Sequence, residues 1–302
     1  MRIVFLGTPD FAVASLEALI AHSFQVVAVV TAPDKPSGRG LKLTPPPVKQ
    51  CAEKHGIPVL QPIKLKDPQF LDQLKSFHAD LQFVVAFRML PEVVWNMPRL
   101  GTYNLHGSLL PKYRGAAPIH WAVMNGDSET GITVFKLKHE IDTGDIILRK
   151  TMPIGPNETT SEVHDRMMII GAEALAESCK MIENEDVEFL TQAEHEVSLA
   201  PKLFKETCEI DWTESVEKVH NKIRGLAYFP GAFFIFQGKS FKVFRSIIST
   251  EKLMPSQFKE GNNKLFVGCK DGSLEILEIQ MEGKRKMEMD EFLRGNSGIF
   301  KT

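Results

Sequence analysis

The chain has 302 residues, of which 43% are apolar and 25% charged, and its formal net charge is −2. This length accommodates two domains, and the composition argues against collagen, coiled coil and disorder. No apolar run reaches the roughly 18 residues of a membrane span, and the run at 3–6 is too short for a signal peptide. Four scattered cysteines without a C-x-x-C pair favour a reducing, cytoplasmic location.

Short apolar runs alternate with helix-like stretches over the first half of the chain. Apolar residues at helical spacing predict helices after the first strand, at 47–55, at 67–77 and from 159 to about 184. The last of these opens with the capping box Thr159-x-x-Glu162. The apolar runs predict strands at 2–6, 26–31, 58–60, 81–87, 101–105, 131–137 and 146–153. Such alternation predicts an α/β fold with a doubly wound, mostly parallel sheet.

The pattern changes from about residue 203 onward. Short alternating runs at 232–236, 240–244, 264–268 and 273–279, separated by glycine turns, predict a small β-barrel or sandwich. We therefore expect one domain over 1–195 and a second over 203–302. Residues 201–302 carry 17 Lys and Arg against 14 Asp and Glu, a basic balance compatible with a polyanionic partner but too small to establish one.

The segment 32–47 is an unusually long loop that carries Lys35, Arg39 and Lys42 among prolines and glycines. Loops of this length are usually functional or disordered. Basic side chains on such a loop suit contact with the phosphates of a nucleic acid. A solvated surface loop explains the segment equally well, so both interpretations stay open.

Neither glycine-containing turn of the first half has a nucleotide-binding pattern. The turn after the first strand lacks G-x-G-x-x-G, so a nicotinamide cofactor is unsupported and Gly7 is interpreted as a tight strand-to-helix turn. Residues 38–40 are not a P-loop, because no G-K-[ST] follows.

The strongest candidate chemistry is at the end of the strand predicted at 101–105. Residues two apart on a strand share a face, so Asn104 and His106 point the same way. Open α/β sheets bind ligands at the carboxyl ends of their strands. A carboxamide beside an imidazolium supplies two donors to a developing oxyanion. Most of the nine histidines are interpreted as structural, but for His106 the functional interpretation is favoured.

A second candidate is the polar turn at 142–145. Asp142 either holds the turn, as Asp beside Gly usually does, or pairs with His106 and passes protons. The sequence separation leaves open whether the two residues meet. No metal-ligand spacing is present in the sequence, so no metal is expected.

Together these stretches resemble the methionyl-tRNA formyltransferases, which use a folate donor. The resemblance runs nearly end to end and is weaker in the C-terminal part. The matching stretches are 7–11, 33–40, 45–49, 104–111, 114–118 and 142–145, then 200–203, 210–212 and 283–284 with Met287. The strand with His106 and the distant Asp142 resemble 10-formyltetrahydrofolate formyltransferases in general. The basic loop, residues 114–118 and the β-rich tail resemble the tRNA enzymes in particular.

The resemblance implies a Rossmann-like formyltransferase domain followed by an OB-like β-barrel that touches tRNA. It implies formyl transfer from 10-formyltetrahydrofolate to the α-amino group of methionyl-initiator tRNA, with Asn104, His106 and Asp142 as catalytic residues. The implied folate-site residues are Ser108, Leu109, Leu110, Pro111, Met89 and Leu90, and the implied tRNA-binding residues are Lys35, Arg39 and Lys42. We expect a monomer without a membrane partner.

One stretch departs from the family pattern. Where the family usually has Ala-Tyr-Gly, residues 86–88 are Ala-Phe-Arg. Arg88 in place of glycine disfavours a turn with positive φ and adds a charge near the pterin pocket, so we expect altered folate contacts with the activity retained. Three alternatives stay open: a formyltransferase for a nucleotide amino sugar, a formyl-folate hydrolase, and a non-catalytic RNA-binding relative.

Overall fold

The computed structural model describes residues 1–37 and 42–301, so Arg39 lies outside the described residues. The chain forms two compact units. The first comprises Met1–Arg114, Gly131–Met152 and Asp165–Leu199, and the second comprises Gly115–Thr130, Pro153–His164 and Ala200–Thr302.

The strands and helices are numbered in chain order. The strands are β1 (Arg2–Gly7), β2 (Gln25–Val30), β3 (Lys35–Ser37), β4 (Lys42–Thr44), β5 (Val59–Leu60), β6 (Leu81–Val85), β7 (Thr102–His106), β8 (Arg114–Gly115), β9 (Glu129–Lys136), β10 (Ile146–Pro153), β11 (Leu199–Ala200), β12 (Ala232–Phe236), β13 (Lys239–Ser249), β14 (Phe258–Gly261), β15 (Lys264–Gly268), β16 (Ser273–Met281) and β17 (Met287–Glu288). The helices are α1 (Asp10–Ala21), α2 (Pro47–Lys54), α3 (Pro68–Ser76), α4 (Glu92–Trp95), α5 (Pro118–Met124), α6 (Thr160–Glu183), α7 (Val216–Leu226) and α8 (Met289–Gly295).

A seven-stranded sheet in the order β10-β9-β7-β6-β1-β2-β5 forms the centre of the first unit. β1 runs parallel to β2 and β6, β2 to β5, and β6 to β7, whereas β9 is antiparallel to β7. Every residue of β6 is buried, as are all residues of β1 after the first, and apart from Gln82 in β6 these buried residues are apolar or glycine. The predicted α/β fold with a mostly parallel sheet is confirmed.

The second unit contains an antiparallel sheet in the order β12-β13-β16-β15-β14, with β17 paired to β16. Phe236 on β12 and Phe258 on β14 lie at opposite ends of this order, yet their ring centroids are 4.8 Å apart. The sheet therefore curls until its outer strands meet through aromatic side chains. The predicted β-rich C-terminal domain is confirmed, and its sheet is antiparallel.

Two segments that precede residue 195 group with the second unit by their contacts, and the division into domains over 1–195 and 203–302 stays a prediction. Segment 115–130 carries α5, which packs on α7. In segment 153–164, the Thr160 hydroxyl donates to the carbonyl of Gly225 at 2.7 Å. Non-local packing of this kind has no counterpart in the local sequence pattern.

Local signals predicted some boundaries well. The Glu162 carboxylate accepts from the backbone N–H of Thr159 at 2.8 Å, and α6 begins at the next residue, as the capping box predicts. The expectation that 32–47 is a plain loop is incomplete, because β3 and β4 pair within it through Lys35 and Thr44. Helix α7 was not predicted, although its buried positions 219, 223 and 226 have helical spacing.

Candidate active site

Strand β7 carries Asn104 and His106 to one edge of the first unit's sheet. Its parallel neighbour β6 pairs Val84 with Asn104, and His106 is the last residue of β7. Because parallel strands end at a common edge, both side chains lie where open α/β sheets bind ligands. His106 is 6% exposed and Asn104 is half-buried, so the site is at the margin of the core.

The ring of His106 is held by a backbone carbonyl. Its Nε2 lies 2.9 Å from the carbonyl oxygen of Tyr113. A carbonyl can only accept, so Nε2 carries the hydrogen and donates it. In the neutral ring, Nδ1 is then the unprotonated nitrogen, and any further proton must enter or leave there.

Asp142 lies against that same nitrogen. Its Oδ2 is 3.9 Å from His106 Nδ1, and the two side chains are 13% and 7% exposed. This separation allows strong Coulomb attraction to an imidazolium but exceeds the 2.7–3.2 Å of a direct hydrogen bond. Residues 36 positions apart in the sequence are therefore brought together at the edge of the sheet.

Asn104 supplies the site's neutral donor. Among the described residues, its side-chain amide has no hydrogen-bond partner, although the backbone of Asn104 is paired in the sheet. The amide N–H groups are thus available to an oxygen on the His106 side of β7. A free carboxamide, an imidazole and a carboxylate together can stabilise an oxyanion and move a proton.

The predicted folate-site residues 108–111 form a fixed loop directly after His106. The hydroxyl of Ser108 donates to the carbonyl of Lys112 at 2.6 Å, and Leu110 is 1% exposed among Phe135 and Ile146. Leu109 is half-buried, and the bond between Leu110 and Pro111 is cis. The side chains of Ser108 and Leu110 therefore fix the shape of the loop.

Thr133, which the sequence reasoning missed, secures this loop. Its buried hydroxyl donates to the carbonyl of Ser108 at 2.7 Å and accepts from the N–H of Leu110 at 3.0 Å. The only signal in the sequence is a hydroxyl side chain within the otherwise apolar run of 132–135.

The segment after β6 contains the other two predicted folate-site residues. Leu90 is 9% exposed and packs in the core, whereas Met89 is 72% exposed. In this segment the positive φ, 48°, belongs to Ala86 and not to Arg88. The backbone at position 88 therefore does not need glycine. Arg88 donates to the carbonyls of Ile63 and Pro62, which directs its charge to backbone oxygens.

The predicted tRNA-binding residues belong to the β3–β4 segment. Lys35 is exposed on β3, the backbone of Lys42 lies in β4, and Arg39 is outside the described residues. The base of this segment is anchored by Asp34, which accepts from Gln61 at 2.7 Å and from Lys49 at 2.8 Å. These hydrogen bonds, that from Gln61 first, hold the pKa of Asp34 below its usual value.

One group in the described part of the chain has the donors of a metal site. The ligand atoms of Glu17, Cys51 and His55 all lie within 4.8 Å of one another. Burial raises the pKa of the Cys51 thiol, and the neighbouring Glu17 raises it further. The thiolate that a metal would need is thus disfavoured, and we assign no metal there. No helix among the described residues has the length and apolar character to cross a membrane.

Comparison with known proteins identifies the family. A family model described as formyl transferase matches residues 1–179, and one described as formyl transferase, C-terminal domain, matches residues 202–297. A methionyl-tRNA formyltransferase of Bacteroides fragilis is 49% identical over 307 aligned residues, which cover 98% of this chain and 95% of that protein.

Two solved structures share the fold. WlaRD, a sugar 3N-formyl transferase crystallised with dTDP and 5-N-formyl-THF, superposes with a TM-score of 0.71 at 21% identity and covers 94% of this chain and 99% of that one. HypX from Aquifex aeolicus in complex with tetrahydrofolic acid gives a TM-score of 0.70 at 19% identity, covering 100% of this chain and 48% of that one. These likenesses establish the fold, and the family models together with the close relatives establish that the chain belongs to the methionyl-tRNA formyltransferase family.

Proposed function

We propose that this protein transfers a formyl group from 10-formyltetrahydrofolate to the α-amino group of methionyl-initiator tRNA. The observation that carries the proposal is the approach of Asp142 to within 3.9 Å of His106 Nδ1 at the carboxyl end of β7. It occurs in a chain 49% identical to a protein named methionyl-tRNA formyltransferase. A pair of this kind suits a reaction in which a carbonyl oxygen gains charge while a proton changes place.

The reaction forms one carbon–nitrogen bond and breaks another. The methionyl amine attacks the formyl carbon, the carbonyl oxygen becomes an oxyanion, and the attacking nitrogen becomes cationic. The bond from the formyl carbon to the folate nitrogen then breaks, and the proton lost by the amine ends on that nitrogen. An α-amine titrates near 7.7–8.0, so a useful fraction is nucleophilic at neutral pH. Stabilising the oxyanion and moving the proton are therefore the main tasks.

Each of the three residues suits one of these tasks. The unbonded amide of Asn104 donates to the oxyanion, as an oxyanion-hole donor does. The imidazolium of His106 places its second N–H at Nδ1, because Tyr113 already holds Nε2–H. Asp142 faces Nδ1 and takes part in proton transfer from the amine. A proton exchanged between Asp142 and His106 Nδ1 needs an intervening group, because the 3.9 Å between them exceeds a direct hydrogen bond.

Other residues supply binding. The loop at 108–111, with Met89 and Leu90 on the neighbouring segment, is proposed to hold the folate beside His106. The two hydrogen bonds of Thr133, one donated and one accepted, hold that loop in place before folate arrives, which limits the entropy cost of binding. Lys35, Arg39 and Lys42 are proposed to contact tRNA phosphates, and the protein is proposed to act as a monomer.

One assay tests the acceptor. Purified protein receives 10-formyltetrahydrofolate with charged initiator tRNA, with a UDP-amino sugar, or with water alone, and product is measured in each. We expect formylmethionyl-tRNA and negligible turnover in the other two. Formyl transfer to the sugar, or release of formate in water at a comparable rate, would instead assign the protein to one of the related enzyme classes.

A further inference from the structure

The turn that presents Asp142 to His106 has a demanding backbone conformation. Asp142 itself has φ of +56°, in the left-handed region that most side chains avoid. Two residues later the turn presses onto β9, since a Cβ on Gly144 would lie 1.7 Å from the carbonyl oxygen of Lys136. Hydrogen bonds from outside the turn therefore help to keep this shape while its carboxylate faces the imidazole.

Gln192 holds this turn through its side-chain amide. Its Nε2 donates to the carbonyl of Asp142 and to the carbonyl of Gly144, each at 2.9 Å. Both amide hydrogens are therefore used on one turn. Gln192 is 4% exposed, so water cannot replace these bonds without opening the structure.

Arg114 fixes the direction in which Gln192 points. The Oε1 of Gln192 accepts from Arg114 Nε at 3.0 Å and from Nη2 at 2.8 Å. A guanidinium has no acceptor and a carbonyl has no donor, so an amide rotated by 180° would lose all four bonds. The Arg114 side chain is itself 9% exposed and paired with Glu194. We call Gln192 and Arg114 together the clamp. Their hydrogen bonds allow the Gln192 amide only one orientation.

Two neighbouring residues, Tyr113 and Arg114, contact His106 and Gln192 respectively. The carbonyl of Tyr113 fixes His106 Nε2, and the next residue, Arg114, orients Gln192. A single stretch of chain therefore sets both the ring nitrogen available to Asp142 and the turn that carries Asp142.

We propose that Gln192, oriented by Arg114, is a positioning residue for formyl transfer, acting through the Asp142 turn and not on the reacting atoms. The inference rests on the proposed function and adds a residue to its site. Because a misplacement of about 1 Å can reduce turnover about 10²-fold, we expect Gln192→Leu to lower kcat by about that factor. The KM for the folate donor should change less than about threefold.

The experiment measures formyl transfer to methionyl-tRNA in Gln192→Leu, Asp142→Asn and the double variant. If Gln192 acts through Asp142, the double variant is no slower than Asp142→Asn alone. Losses that multiply, or a kcat of Gln192→Leu within about threefold of the unchanged protein, overturn the proposal. Gln192→Glu is the second variant. Its carboxylate keeps Arg114 as a partner but has no hydrogens to donate to the carbonyls of Asp142 and Gly144.

Gln82→Leu is the matched control. Gln82 is also fully buried in the first unit, but its bond is to Thr102, at the far end of β7 from His106. It should keep wild-type kcat.

A crystal structure of Gln192→Leu supplies a readout that does not depend on activity. We expect the separation of His106 and Asp142 to grow by about 1 Å or more, and an unmoved turn overturns the proposal. Absence of transfer by the unchanged protein would refute the proposed function, and the structure alone would then decide on Gln192.

Discussion

Thr133 lies opposite His106 in the antiparallel pairing of β7 with β9, and its hydroxyl joins two backbone groups of the loop that follows His106. The strand paired with β7 at His106 thus also fixes the loop proposed to hold folate. Both contacts are fully buried, so neither the Ser108 carbonyl nor the Leu110 N–H can form a hydrogen bond with water in place of Thr133.

Thr133→Val should therefore destabilise the first unit and weaken folate binding. The substitution keeps the shape of the side chain but leaves a buried carbonyl at Ser108 and a buried N–H at Leu110 without partners. Each such group costs about 1–3 kcal/mol. Urea unfolding and the KM for the folate donor measure the two effects. Thr133→Ser keeps the hydroxyl and serves as control, and wild-type stability in Thr133→Val would contradict the role given to this residue.

Substitutions of the proposed catalytic residues should lower kcat and leave the KM for folate unchanged. Removing one oxyanion donor typically costs about 10²–10³-fold in kcat, which is the loss expected for Asn104→Ala. Loss of a general base typically costs about 10²–10⁴-fold, which is the range expected for Asp142→Asn. His106→Ala should fall in the same range. Steady-state formylation at varied folate concentration separates the two constants.

Asp145→Asn is the matched control for Asp142→Asn. Asp145 belongs to the same turn, but its carboxylate pairs with Lys138 at 2.9 Å. It should retain kcat within about threefold. Near-normal turnover in both His106→Ala and Asp142→Asn would show that the residues lie together without catalysing transfer.

The strands around this site were predictable because burial on both faces favours mostly apolar runs, as in β1 and, with Gln82 as the exception, in β6. The start of α6 was predictable because a capping box is a local signal. Asn104 and His106 were predictable as same-face residues at the end of β7 for the same reason, since strand periodicity is local.

The meeting of His106 with Asp142 was open at the level of sequence, because it depends on hydrogen bonds between distant segments. Gln192 reaches the carbonyl of Asp142 across 50 positions, and Arg114 reaches Gln192 across 78. Such contacts leave no periodic pattern. The buried state of His220 escaped prediction for a related reason, since its partners Ser246 and Pro156 come from other elements.

The proposed contact of the basic loop with tRNA predicts a strong effect of salt. Each phosphate contact releases counterions, so the KM for tRNA should rise steeply with salt concentration. Arg39→Ala should raise that KM and reduce the slope of its logarithm against log salt by about 1, with folate KM unchanged. The measurement is formylation at several potassium chloride concentrations. A KM for tRNA that ignores salt would count against this loop as an RNA contact.

Asp34 should influence tRNA use from the base of the same loop. Asp34→Asn removes its charge pair with Lys49, in which the two side chains are 29% and 18% exposed. The amide introduced at position 34 can still accept from Gln61, but the base of the loop loses its ion pair. Binding of tRNA must then supply more of the ordering, so KM for tRNA should rise about 3–10-fold. Asp72→Asn makes the same charge change on the exposed face of α3 and should have no effect. Equal KM values for the two variants would exclude an anchoring role.

We expect His220, which is buried, and His120, which is half-buried, to make the stability of the second unit depend on pH. Burial lowers the pKa of His220 below 6.5, and the same cause lowers that of His120. The unfolded chain therefore takes up these protons at a higher pH than the folded one does. The histidines favour folding less and less as the pH falls below about 6.5, and Tm should drop between pH 7.5 and 5.5.

His220→Asn tests this origin of the pH dependence. Asparagine does not titrate, so the fall in Tm between the two pH values should be smaller in this variant, whatever its Tm at pH 7.5. His139→Asn removes a histidine whose side chain is 86% exposed, and it should leave the pH dependence unchanged. Protons are linked to unfolding only through groups whose pKa differs between the folded and unfolded states. If Tm falls as much in His220→Asn as in the unchanged protein, the pH dependence comes from other groups.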